Sequence, residues 1–318
     1  MSFLLNELSL HGQFTNERDF EAALATVMAI RKVIVDEGRQ LACSRALSQA
    51  TVISNASQSL QQAIRRLRPD RQRAVMSWIS KQGPFWNEPR AHSDDEYLEC
   101  ASQVVTESSV AEAAWACFQD REAQLISFAP SDWQESPLCV DWHSENGVQK
   151  AQVENHWTRE RVLAALGAMA PPVTCWTALE QQARTRCARL TFSDEAFRAL
   201  DDQPFARAAA DRLLFLFERL DRFAACFDAE GNRNEEGHAL YRDFFTGDRA
   251  RFSDSSSSER QQFRDALTFA HPTSETESLF CPMHGKTQTP PMRFHFSWPI
   301  QAEQPVYVVY VGPKLTKR

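Results

Sequence analysis

Arg293 and His295 have the residue types and spacing that phosphate chemistry asks for. They lie in Met292-Arg-Phe-His-Phe-Ser-Trp298, where apolar and polar residues alternate. Successive strand side chains point to opposite faces. A strand with Met292, Phe294, Phe296 and Trp298 on the core would hold Arg293 and His295 out together, roughly 7 Å apart. His284 and Lys286 lie just upstream, and Lys314, Lys317 and Arg318 follow. Residues 281–318 hold five basic residues against one acid, Glu303, so this stretch carries +4 and the remainder −11. A local basic surface on an acidic chain calls for an anionic ligand, most simply phosphate. Cleaving RNA without a metal needs a base for the 2′-hydroxyl, an acid for the leaving oxygen and cations for the phosphorane. His295, His284, Lys286 and Arg293 can fill those roles. They can equally be polar residues of a half-exposed strand beside a solvated basic tail.

Other constellations are weaker. Cys281-Pro-Met-His284 is half of a zinc motif, but no second pair at ligand spacing accompanies it. Arg65, Arg66 and Arg68, with Arg71 and Arg73, can track a nucleic-acid backbone. They can also be solvated helix ends paired with acids such as Asp94, Asp95 and Glu96. Asp228-Ala-Glu-Gly-Asn-Arg-Asn234 has Arg233 where a calcium loop needs Gly and Ala239 where it needs Glu. Asp141, Glu145 and Lys150 hint at a metal nuclease. The chain has no P-loop, GxGxxG, GxSxG or HExxH. No cofactor and no resident metal is expected.

The chain has 318 residues, a formal charge of −7, 43% apolar and 24% charged residues, which is a globular balance. Eight Cys are too few for a disulfide scaffold and suit reduced thiols. No apolar run nears the ~18 residues of a membrane helix. Glu7 interrupts the opening apolar stretch, so it does not read as a secretory leader. A cytoplasmic location is expected.

Helical periodicity covers about 18–37, 57–68, 70–82, 104–118 and 157–168. Asn146-Gly147 between alternating runs marks a β-hairpin. Pro171-Pro172 breaks the chain. Beyond it, helices are expected at 176–187, 204–227, 237–245 and 257–268. Short strands are expected at Ala188–Ser193, in the 279–300 stretch and in Val306-Tyr-Val-Val-Tyr-Val311, whose two apolar faces suit a covered central strand.

Phe192-Ser-Asp-Glu-Ala196, the following long helix, Met292-Arg-Phe-His-Phe296 and the apolar strand with its basic tail resemble the RelE/HigB toxin ribonucleases. The resemblance covers residues 189–227 and 280–318, and the roughly fifty residues between have no counterpart. It implies that Arg293 matches the family's strand arginine, and Lys314 or Lys317 its basic carboxyl-terminal residues.

The expected fold is α+β: a mostly helical N-terminal domain with a β-hairpin (1–170) and a C-terminal domain (171–318) of helices on a small antiparallel sheet. The expected function is a nucleic-acid-directed effector of toxin or antiviral-defence type. Its catalytic set, if it is a ribonuclease, is His295, Arg293, His284 and Lys286. Its RNA contacts are Lys314, Lys317, Arg318, Arg65, Arg66 and Arg68. The alternatives are a non-catalytic protein-interaction subunit of a bacterial defence complex and a metal nuclease built on Asp141. RNA or another phosphate-bearing ligand, and a protein partner, are the partners expected; a membrane is not.

Overall fold

A computed structural model describes residues 2–53, 58–88, 90–119, 121–145, 147–247, 250–274, 276–288, 290–302 and 304–316. The chain divides into two compact units, Met1–Pro172 and Val173–Arg318. No helix among the described residues is long and apolar enough to cross a membrane.

The first unit contains β1 (Ser2–Leu5), α1 (Glu17–Asp36), β2 (Leu41–Ala42), β3 (Thr51–Ile53), β4 (Gln58–Ser59), α2 (Leu60–Ile64) and α3 (Pro69–Met76). There follow β5 (Tyr97–Cys100), β6 (Gln103–Val104), α4 (Ser109–Phe118), β7 (Ala123–Ile126), β8 (Leu138–Ser144), β9 (Gly147–Val153), β10 (Asn155–His156) and α5 (Arg159–Ala168). The expectation of a mostly helical domain with one hairpin is therefore wrong. The described residues hold ten strands in three sheets, and the architecture is mixed α/β.

The central sheet runs β10-β7-β1-β2, with every neighbouring pair parallel. Both its faces are covered, as parallel sheets require. Phe3 and Leu5 join the apolar stripe of α1 (Phe20, Leu24, Val27, Ile30, Ile34), whereas Leu4 joins α4 and the β8–β9 hairpin. Asn16 caps α1 by accepting from the Asp19 N–H at 3.0 Å. Buried polar residues tie the strand ends: Asn6 Nδ2 donates to Ser127 Oγ (3.0 Å), whose hydroxyl donates to Asn155 Oδ1 (2.8 Å). The second sheet, β6-β5-β8-β9, is antiparallel.

The second unit contains α6 (Trp176–Arg186), β11 (Leu190–Phe192), α7 (Arg207–Ala224), α8 (Glu235–Phe245), β12 (Phe252–Ser253) and α9 (Ser257–Gln262). Then come β13 (Thr268–Ala270), β14 (Ser278–Phe280), β15 (His284–Lys286), β16 (Met292–Phe296) and β17 (Val306–Pro313). Its sheet, β11-β17-β16-β15-β12, is mixed and not wholly antiparallel, because β11 lies parallel to β17 at one side. Phe294 and Phe296 face α7, and the Phe217 and Phe294 ring centroids are 4.6 Å apart. The register shifts between His295 and Phe296, which pair with Tyr310 and Val308. The extra residue, Val309, lets Val308 and Val311 both face the core. That bulge explains why Val306–Val311 reads as apolar on two faces.

A helix expected over 257–268 ends at Gln262. After a short 3-10 turn the chain enters β13, which pairs with β14 as a separate antiparallel ribbon. The ribbon brings Phe269 to 6.1 Å from the His295 ring and 6.2 Å from Tyr310. It covers the sheet face that the alternation had left polar.

Candidate functional site

The register of β15, β16 and β17 sets the site. His284 pairs with His295 and Lys286 with Arg293, and across β17 His295 faces Tyr310 and Arg293 faces Gly312. Directly paired residues share a face. The two histidines and Tyr310 form one group, and Lys286 and Arg293 the next group along it. Lys314, two residues past Gly312, continues the row.

Arg293 and His295 do share a face, as alternation dictates, but they do not stand out together toward solvent. His295 is 0% exposed and His284 3% exposed. Phe269, His284 and Tyr310 crowd the His295 ring, with the His284 centroid at 5.3 Å. His295 Nδ1 lies 2.9 Å from the Cys281 carbonyl, which can only accept, so this nitrogen carries the proton. Nε2 is then a bare lone pair, buried and without a hydrogen-bond partner among the described residues. His284 Nδ1 likewise faces the Pro282 carbonyl (3.2 Å), leaving Nε2 to accept from Ser253 Oγ (3.3 Å).

Burial, and then the Arg293 charge, pushes the His284 pKa down to about 3. Burial also pushes His295 down to about 4, with Arg293 adding to the effect and the Cys281 hydrogen bond opposing it. Both rings are therefore neutral at pH 7. General acid and base roles for His295 and His284 would need access to substrate, and both rings are buried.

The cations are more accessible. Lys286, Arg293 and Lys314 are half-buried. Arg293 Nη1 is buried with no hydrogen-bond partner among the described residues. Burial lowers the Arg293 pKa, and the Glu259 charge opposes that shift. Glu259 Oε1 accepts from Lys314 Nζ (2.9 Å) and Thr316 Oγ1 (3.0 Å). Those bonds, the Lys314 one foremost, hold its pKa down to about 2. Glu259, Thr316, Tyr310 and Ser253 were not anticipated. Glu259 had a legible signal: with Ser256 it forms a capping box at the start of α9, inside the run of serines.

The other expected residues lie elsewhere. Arg65, Arg66 and Arg68 are exposed at the α2–α3 corner of the first unit. Arg66 pairs with Glu17 and Arg73 with Asp70. Lys317 and Arg318 fall outside the described residues. Asp141 is paired with Lys150 across the hairpin at 3.1 Å. Burial pushes the Cys281 thiol up to about 12, which disfavours the thiolate that zinc binds. No three His, Cys, Asp or Glu side chains converge on a metal position among the described residues.

A cavity of about 590 Å³ lies in the first unit beyond the carboxyl ends of β1 and β7, with Glu7, His11, Asp132, Trp133 and Glu135 in its wall. None of the expected site residues lines it. No family model matches the chain, and no curated protein or solved structure does either.

Proposed function

We propose that the protein is a nucleic-acid-directed effector that grips the phosphate backbone of RNA on the cationic row Lys286, Arg293 and Lys314. The toxin-like or antiviral setting is the one that the Phe192–Ala196 and Met292–Phe296 motifs resemble. The observation that carries the reading is the Arg293 guanidinium. It is half-buried, lies beside Lys286 in the register, and keeps one nitrogen without a partner among the described residues. Buried donors are rarely left unpaired, and phosphate oxygens suit the arginine fork. Glu259 already places a carboxylate on Lys314 and Thr316, the position an anion would take. The reading is one of binding: the two neutral, enclosed imidazoles lie next along the same face and do not touch RNA.

Fluorescence anisotropy with a labelled single-stranded RNA tests it. Affinity should fall steeply between about 50 and 200 mM salt. Arg293→Gln should weaken binding about tenfold across sequences and flatten the salt slope by about one contact. Lys286→Gln should act in the same direction, and Glu259→Gln should tighten binding by freeing Lys314. Absence of salt-dependent binding would remove the proposal. So would unchanged affinity in both cation variants when they keep the wild-type melting temperature.

A further inference from the structure

A second place on the chain gathers side-chain amides and arginines. It lies in the first unit, where β4 runs into α2. Gln58 is paired in the β3–β4 ribbon opposite Ile53 and is only 5% exposed. Its Nε2 is buried and has no hydrogen-bond partner among the described residues. The side chain nevertheless lines a cavity of about 440 Å³ together with Gln62, Arg65 and Arg66.

The surrounding hydrogen bonds determine what the cavity offers. Gln62 Oε1 is already taken, since it accepts the Ser59 N–H at 3.0 Å in the capping box of α2. The amide nitrogen of Gln62 is therefore the end left for a guest. Arg65 and Arg66 are both exposed, and among the described lining residues there is no acid. Arg66 reaches Glu17 in the first turn of α1, so it is tethered at the rim. Two side-chain amides and two guanidinium groups thus line a space with no acid among the described residues. A buried donor without a partner is costly, and an apolar residue at position 58 would avoid that cost. A polyanion with several acceptor oxygens would satisfy all four groups at once.

We propose that this corner is a phosphate site, and that it takes the phosphate as a monoester. A terminal phosphate brings three oxygens and up to two negative charges to two arginines and two amides, whereas an internal phosphodiester brings two free oxygens and one charge. The source can be a small phosphorylated metabolite or the phosphorylated end of a nucleic acid. The site stands independently of the cationic row in the second unit.

The experiment uses the full chain and begins with inorganic phosphate. Isothermal titration, with chloride matched for ionic strength, should show saturable binding to one site. Arg65→Gln should weaken it about tenfold. Gln58→Leu, which keeps the side-chain size and removes the unpaired donor, should weaken it similarly while melting at or above the wild-type temperature. That combination separates a ligand group from a merely structural one. Lys32→Gln, an exposed cation that does not line the cavity, should bind phosphate as wild type does. Uridine 5′-monophosphate and a short RNA with a 5′-phosphate form the two source arms. Either one binding more tightly than inorganic phosphate, with loss in Arg65→Gln, names the source. Saturable binding absent beyond the chloride control would overturn the proposal, as would wild-type affinity in both Gln58→Leu and Arg65→Gln. A 5′-hydroxyl RNA that competes at this site as well as its 5′-phosphorylated twin would overturn the monoester assignment.

Discussion

Acidifying the protein from pH 7 to pH 4.5 should cost the second unit about 5 kcal/mol of stability, at about 1.4 kcal/mol per pKa unit for each of two histidines. His284 and His295 are held neutral in the fold, with pKa values near 3 and 4 against an ordinary 6.5. The unfolded chain therefore takes up protons first as the pH drops. The contribution is complete above pH 6.5 and is lost progressively as the pH falls toward the folded values. Urea unfolding at a series of pH values measures it, with exchange protection of β16 amides reporting on the second unit separately. His284→Asn should remove about half of the slope between pH 6.5 and 4.5. A midpoint that stays level over that range would show that the two rings are hydrated in solution.

The other large effect is expected at Gly285. It pairs with Phe294, and a methyl group built on it would run into the Phe294 ring. That ring is fully buried and packs on Phe217 at 4.6 Å, Phe296 at 5.9 Å and Phe252 at 6.0 Å. It cannot swing aside without displacing three other aromatics. Gly285→Ala should therefore destabilise by roughly 1–3 kcal/mol through overpacking. Phe294→Ala should cost about 3–5 kcal/mol through the cavity it leaves. The two should not add: Gly285→Ala combined with Phe294→Leu should recover part of the loss, because the smaller side chain vacates the space. A Gly285→Ala protein that melts at the wild-type temperature would mean that the close approach is absent in solution.

Much of this face is legible in the sequence. Alternation in Met292–Phe296 assigned Phe294 and Phe296 to the core and Arg293 and His295 to the other side, since side-chain period is a local property of a strand. What covers that other side is not local. The β13–β14 ribbon has three-residue strands, too short for a periodic signal, and its first strand starts at Thr268, where the stretch that reads as helix ends. The ribbon's Phe269 packs against His295, so the expected exposure of that ring fails with it. The parallel sheet of the first unit escaped for a similar reason: β2 and β10 are two residues each, and their pairing joins segments thirty or more residues apart. Gln58 was hidden by a helical reading of 57–68 that absorbed β4, a strand of two residues.

The placement of β17 also bears on how the second unit comes into being. Its flanking strands are β11, more than a hundred residues earlier, and β16, and it is the last of the unit's strands to leave the ribosome. Until it emerges, β11 and β16 have no common neighbour, and the apolar side of α7 has an unfinished sheet to rest on. Such long-range pairing is slow, because loop closure comes before the contacts that reward it. A chain that stops before Val306 would therefore present open phenylalanine surface to chaperones, because the sheet cannot close without β17.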